Sequence, residues 1–197
     1  MTQPHPVIPA KHAWVDESVL VGAGLYILAA VVATPAACDD IRQMLRDLRF
    51  KNKPRLHWYE EDDARRHKIA VAIAACDATS LVVIASPMAR NGQERARRKC
   101  IERLLWQLYE MHQVGHVKFE SRTQSQDRSD RHMVAAMRGS RTISSSIRID
   151  FERPVAEPML WIRDAVAGAV GIAQRGEPEL QRVLGERLAS VDIQLAP

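Results

Sequence analysis

The chain has 197 residues, of which 46% are apolar and 26% charged, which fits one folded domain and excludes an intrinsically disordered protein. Its three cysteines lie far apart and form no CxxC pair. This excludes a disulfide scaffold and indicates a reduced, cytoplasmic protein. The first residues also lack the basic-then-apolar order of a secretion signal.

The net charge of +4 is unevenly distributed along the chain. Residues 90–148 carry 13 Lys and Arg against 6 Asp and Glu, so the remainder is net acidic. Of the 28 basic residues, 22 are arginine, whose planar guanidinium suits phosphate oxygens. A nucleic-acid-binding face needs such a local surplus of positive charge, although solvated helix faces rich in arginine would give the same count.

The opening third of the chain predicts two paired strands followed by a helix. Strands are expected at about 12–17 and 24–33. Residues 19–38 carry no charge, a length that could span a bilayer, but acids flank the run on both sides. Central strands covered on both faces explain this run better than a membrane helix does. Pro35 then suits the N-terminus of a helix that continues to Leu48.

The rest of the chain alternates strands with helices, which predicts an α/β layer fold. After a second helix at about 60–76, the predicted elements are, in order, a strand at 79–87, a helix at 94–113, a strand at 116–121, a helix at 126–138, a strand at 144–152, and helices at 159–174 and 177–190.

Asp16 and Asp164 stand out because each carboxylate lies where a buried apolar residue is expected. A carboxylate removed from water is costly unless a cation or a set of donors compensates it. Two such residues at opposite ends of one domain therefore indicate a shared cation and chemistry on phosphates. On the first strand Asp16 shares a face with Trp14, whereas Glu17 points to the other face. The alternative for Asp16 is a turn-forming cap.

Asp164 lies in an apolar helix in which the only other charged residue is Arg163. Adjacent helical residues do not face each other, so its partner must be a metal or come from elsewhere in the fold. The small residues Ala167, Gly168 and Gly171 would let this helix approach the sheet closely. The alternative is a structural salt bridge to one of the many arginines.

Two further residues could contribute to such a site. Glu120 ends a predicted strand and could complete a metal site, or it could belong to a solvated ladder with Lys118. His57 could bind a metal or move a proton. The acids at 60–63 that follow it are typical of a first helical turn. The sequence has no zinc-like Cys/His cluster, GxGxxG, Walker A or GxSxG motif.

Three short motifs resemble a known family: Asp16-Glu17-Ser18, Leu56-His57-Trp58, and the helix pattern Leu-x-x-x-Asp-x-x-Ala-Gly-Ala over 160–169. They resemble the domain-of-unknown-function family numbered thirty-eight hundred, which is grouped with the RNase H-like (retroviral integrase-like) superfamily and is common in bacteria and phage-derived regions. The resemblance extends from about residue 12 to 173. It implies that Asp16, Glu120 and Asp164 are the acids of the site.

The chain departs from the family at four positions. In the helix motif the family usually has Gln where this chain has Trp161, and Ala where it has Arg163. Before the Leu-His-Trp motif the family commonly has an acid where this chain has Arg55, and its mid-sheet acid is often Asp where this chain has Glu120. These departures bear on catalysis more than on the fold. The expected fold has a mixed central sheet with an antiparallel opening hairpin, helices on both faces, and a C-terminal helix near the first strand. After an N-terminal extension at 1–11, residues 12–197 should form a single domain.

The leading hypothesis is a metal-dependent nuclease acting on DNA or RNA, with no membrane association. Asp16 would bridge two Mg²⁺ or Mn²⁺ ions, Glu120 and Asp164 would each hold one, and His57 would assist proton transfer. The residues expected to contact phosphates are Arg95, Arg98, Lys99, Arg122, Arg128 and Arg131. The alternatives are a non-catalytic nucleic-acid-binding module with a degraded site and a protein-interaction component.

Overall fold

The computed structural model describes residues 11–195, and this part of the chain forms one mixed sheet of six strands. The strands are β1 (Lys11–Leu20), β2 (Leu25–Ala33), β3 (Ala78–Ser86), β4 (Val114–Glu120), β5 (Arg148–Glu152) and β6 (Leu188–Gln194). Their spatial order is β5-β4-β1-β2-β3-β6. Strand β2 runs antiparallel to β1 and β3, and the other neighbouring pairs are parallel. The antiparallel opening hairpin is therefore confirmed.

Helices cover both faces of the sheet, as predicted. They are α1 (Cys38–Leu48), α2 (Asp63–Ala75), α3 (Gln93–Glu110), α4 (Gln124–Gly139), α5 (Met159–Ala173) and α6 (Glu179–Leu184). Helices α1, α2, α5 and α6 pack on one side, which we call the α5 face. Helices α3 and α4 pack on the other side, which we call the α3 face.

The uncharged run of the sequence forms the centre of the sheet. In β2, Ile27, Ala29 and Val31 contact the core of the α5 face, whereas Leu28 and Ala30 contact the core of the α3 face. Because both faces of this strand are covered, alternation between apolar and polar residues is lost. Within residues 11–195, no helix combines the length and the apolar character needed to cross a membrane.

Helix α5 packs across β1 and β2, as the sequence predicts for the C-terminal helix. It is buried over nearly its whole length, which agrees with its apolar sequence. This packing brings the helix that carries Arg163 and Asp164 against the strand that carries Asp16.

Several element boundaries differ from those predicted. The expected helix at 177–190 is wrong, because α6 ends before Gly185, which has a positive φ of 52°, and the chain then enters β6. Helix α3 ends at Glu110, and β5 begins only at Arg148. Strand β1 continues to Leu20, so Asp16 lies inside the strand rather than at its end. Of the predicted N-terminal extension at 1–11, residues 1–10 lie outside the described residues, and residue 11 begins β1.

Candidate functional site

Strand β1 presents one acid to each face of the sheet. Trp14 belongs to the core of the α5 face and Val15 to the core of the α3 face. Because side chains alternate along a strand, Asp16 points to the α5 face and Glu17 to the α3 face. The partners of the two acids follow this division. Asp16 contacts a residue of α5, and Glu17 contacts a residue of α3. The prediction that the two acids cannot share one site is confirmed.

The residue that meets Asp16 is Arg163 rather than Asp164. The guanidinium of Arg163 donates a hydrogen bond to Oδ2 of Asp16 and forms an ion pair with Oε2 of Glu120. The Arg163 side chain is 3% exposed, and the two acidic side chains are 19% and 21% exposed. The sequence indicated a cation shared by Asp16 and Asp164, whereas the acids that converge on one cation are Asp16 and Glu120, and that cation is a buried arginine. We call Asp16, Glu120 and Arg163 the acidic centre.

Burial governs the ionisation of this arginine. Loss of water lowers the pKa of the Arg163 guanidinium to about 9, while the charge of Asp164 acts in the opposite direction. At that pKa the guanidinium is still protonated at neutral pH. The contacts with Asp16 and Glu120 also favour its charged form, because each places a carboxylate beside the cation.

Asp164 contacts the loop that carries the Leu-His-Trp motif. Its Oδ2 accepts a hydrogen bond from the backbone N–H of Trp58 at 3.1 Å and lies 3.3 Å from Nδ1 of His57. The expectation that its partner comes from elsewhere in the fold is confirmed, since this loop lies 106 residues away in sequence. His57 and Asp164 are thus brought together, and Asp164 is the neighbour of Arg163 in sequence.

The small residues of α5 explain why the loop can come so close. A Cβ atom on Gly168 would overlap the indole of Trp58, which is fully buried against the helix. Further along, a Cβ on Gly171 would lie 3.3 Å from Cδ1 of Leu20 on β1. The predicted close approach to the sheet is therefore found at Gly171, whereas at Gly168 the close neighbour is the loop.

The residues of this site, as arranged, do not fit a shared divalent ion. Two of the three predicted ligands contact a guanidinium, and the third accepts from a backbone amide. Over residues 11–195, no group of three or more His, Cys, Asp or Glu side chains is arranged to hold a metal. The assignment of Asp16, Glu120 and Asp164 as ligands of Mg²⁺ or Mn²⁺ stays a prediction.

The predicted phosphate contacts lie on α3, on α4 and in the segment before α4, on the α3 face. Five of them are exposed: Arg95, Arg98, Lys99, Arg128 and Arg131. The sixth, Arg122, is engaged within the protein, since it pairs with Glu94 at 2.8 Å and with Asp130 at 3.1 Å. The exposed cations and the acidic centre therefore lie on opposite faces of the sheet.

A second buried arginine, Arg97, which was not among the predicted site residues, holds α3 and α4 against β1. Arg97 is 2% exposed and pairs with Asp130 at 2.8 Å and with Glu17. Burial opposes its charge, but the hydrogen bonds to Asp130 and the charge of Glu17 raise the pKa of Arg97 above its ordinary value. A signal was present in the sequence, because Arg97 precedes the buried Ile101 by four residues and so lies on the same helix face.

Comparison with known proteins identifies the fold. No family model matches the chain, and no curated protein sequence matches it. Among solved structures, the chain is similar to RNase HII in the structure of the PCNA:RNase HII complex from Archaeoglobus fulgidus. The TM-score is 0.55 and the sequence identity 16%, and the similarity covers 90% of this chain and 80% of the other. The protein therefore has an RNase H-like fold.

Proposed function

We propose that this protein binds nucleic acid through an RNase H-like fold and does not hydrolyse it while Arg163, a departure from the family that its motifs resemble, is in place. The observation that carries the proposal is the guanidinium of Arg163 held between Asp16 and Glu120. The positive charge that two converging acids require is supplied by the chain itself.

An arginine in this position supports binding without hydrolysis for a chemical reason. A guanidinium has five N–H donors and no acceptor or open coordination position. It can pair with two carboxylates, but it cannot coordinate a water oxygen and lower the pKa of that water as a divalent ion does. The acidic centre therefore has a structural role, in which it joins α5 to β1 and β4.

The exposed cations on α3 and α4 support nucleic acid as the partner. Five of the six predicted phosphate contacts are exposed, and four of the five are arginines. If all five meet phosphates of duplex DNA, log K should fall with log salt concentration with a slope of about −4.5. Such contacts read the backbone and carry no sequence information, so binding should be independent of sequence.

A metal-dependent nuclease is the second candidate function. One observation favours it, namely that Asp16 and Glu120 reach the same cation from neighbouring parallel strands. RNase HII, whose fold this chain shares, is named as a ribonuclease. If the side chain of Arg163 withdrew, Asp16, Glu120 and Asp164 would be the residues to hold Mg²⁺ or Mn²⁺, with His57 beside them.

One experiment separates the two candidates. The purified protein is titrated against fluorescein-labelled DNA and RNA, single-stranded and duplex, at several salt concentrations, and the same mixtures are incubated with Mg²⁺ or Mn²⁺. We expect salt-dependent binding and intact oligonucleotides. Cleavage that is lost in Asp16→Asn would instead establish the nuclease, and the absence of any binding would refute the proposed function.

A further inference from the structure

A large exposed aromatic side chain lies among the cations of α3. Trp106 is 41% exposed, whereas the other three tryptophans of the chain are at most 3% exposed. Two adjoining cavities of about 450 and 520 Å³ share Trp106 and Thr142 in their walls. The indole therefore lies in the wall that is common to both cavities, which are lined by α3, α4, the segment after α4, and the end of β6. We call the two cavities together the trough.

The trough is lined by an excess of positive charge. Its cations are Arg95, Lys99, Arg103, Arg138 and Arg141, and its acids are Glu102 and Glu110. Only one ion pair joins these residues to each other, between Lys99 and Glu102 at 3.2 Å. The net charge of the lining is therefore +3, which points to an anionic occupant.

The spacing of these residues on α3 forms a line that leads to the indole. Arg95, Lys99 and Arg103 follow each other at intervals of four residues, so they lie on one side of the helix at steps of about 6 Å. Trp106 continues this line three residues later. The guanidinium carbon of Arg103 lies 5.0 Å from the centre of the indole ring, so a cation already stacks against part of it.

We propose that the trough binds single-stranded nucleic acid, with one base stacked on Trp106 and the adjacent phosphates held by the arginines and Lys99. The inference rests on the proposed nucleic-acid function and specifies its site and substrate class. A row of cations tracks a phosphate backbone, and an exposed ring stacks on a base, which is how single strands are bound without sequence preference. A duplex offers no free base face to the indole.

The position of the trough is consistent with binding without hydrolysis. Helix α3 lies on the α3 face, whereas Arg163 and the acids around it lie on the α5 face. A strand held by Trp106 is thus on the opposite side of the sheet from the acidic centre. Removal of the Trp106 ring should therefore change binding without disturbing the contacts of Arg163.

The test compares Trp106→Ala with Trp106→Phe in the full-length chain, by fluorescence anisotropy with labelled 15-mers of thymidylate or uridylate and with a duplex of equal length. Loss of one stacked base should weaken single-strand binding by about 5- to 150-fold in Trp106→Ala. Trp106→Phe should retain most of the affinity. Phe50→Ala is the matched control, because Phe50 is also exposed and stacks with an arginine but lies outside the trough.

Intrinsic tryptophan fluorescence gives a second measurement. Because Trp106 is the exposed tryptophan, the single strand should quench fluorescence in the wild type and not in Trp106→Phe. Equal single-strand affinity of Trp106→Ala and the wild type would overturn the trough while leaving the proposed function intact. An equal loss of duplex binding in Trp106→Ala would also overturn the proposal that the trough binds single strands. A wild-type dimer that dissociates in Trp106→Ala would overturn it as well, since a second copy of the chain would then occupy the trough. No binding of any oligonucleotide to the wild type would refute both proposals.

Discussion

Replacement of Arg163 by alanine should convert the acidic centre into a cation site. Alanine is the residue that the resembled family usually has at this position. The substitution removes the guanidinium and leaves Asp16 and Glu120, each about one-fifth exposed, facing each other without a counter-ion. The variant should therefore be less stable than the wild type, and a divalent ion should restore part of the loss.

The expected sizes follow from the burial of the pair. Breaking a buried ion pair by removal of one partner costs about 3–5 kcal/mol. For a chain of this length, 1 kcal/mol shifts Tm by about 2–4 °C, so the variant should melt about 6–20 °C below the wild type. Mn²⁺ at about one hundred times its Kd would return about 2.7 kcal/mol, which is about 5–11 °C.

Thermal unfolding with increasing Mn²⁺, followed by far-UV circular dichroism, measures both effects. The Tm of the wild type should not respond to Mn²⁺, because Arg163 occupies the cation position. A triple variant, Arg163→Ala with Asp16→Asn and Glu120→Gln, has no charge to neutralise and should fold without a response to Mn²⁺. A wild-type Tm that rises as much as that of Arg163→Ala, or an Arg163→Ala variant that folds but does not respond, would refute the reasoning.

Three further predictions concern stability, each measured by urea unfolding. Gly168→Ala should destabilise the protein by about 1–3 kcal/mol, because its Cβ would overlap the buried indole of Trp58, and a wild-type value would contradict the packing described. Asp130→Ala should cost about 3 kcal/mol, since Arg97 stays buried with one acid fewer, and a loss below about 0.5 kcal/mol would show that this pair carries little energy. For Glu157, burial alone would raise the pKa, but two hydrogen bonds from the guanidinium of Arg42 hold the pKa below its ordinary value. A depressed carboxylate stabilises the fold above its unfolded pKa and loses this effect as the pH falls, so Glu157→Gln should lose less stability than the wild type between about pH 5 and 3. If the free energies of unfolding of Glu157→Gln and the wild type fell in parallel over this pH range, the proposed role of Glu157 would be contradicted.

The centre of the sheet could be predicted because its sequence pattern has one physical cause. A run without charge, interrupted by glycines and flanked by acids, fits a central strand buried on both faces, and β2, which pairs with β1, has this arrangement. The division of Asp16 and Glu17 between the two faces follows from the strand period alone. The same reasoning correctly excluded Arg163 as the partner of Asp164.

The presence of Arg163 in the acidic centre could not be predicted, because its contacts are with residues far away in the sequence. Arg163 meets Asp16 across 147 residues of sequence, and no short pattern specifies which of two adjacent α5 residues will face the strand. The sequence argument selected Asp164 because a buried carboxylate needs a compensating charge. A buried arginine such as Arg163 needs a partner for the same reason. Strand β6 was missed for another reason. Ala189, Val191, Ile193 and Leu195 do alternate with polar residues, but they directly follow a helical segment, and the predicted helix was extended into them.

The two acids of β1 and their two arginines also bear on how the chain selects its strand alignment. Arg163 holds Asp16 from one side of the sheet, and Arg97 holds Glu17 from the other. If β1 slipped by one residue against its neighbours, every side chain would change sides and neither acid would meet its guanidinium. Asp16 and Glu17 would then lose their guanidinium partners, while Arg163 and Arg97 would each keep a single acid, Glu120 and Asp130. Misaligned pairings of β1 are therefore penalised more heavily than those of a purely apolar strand would be.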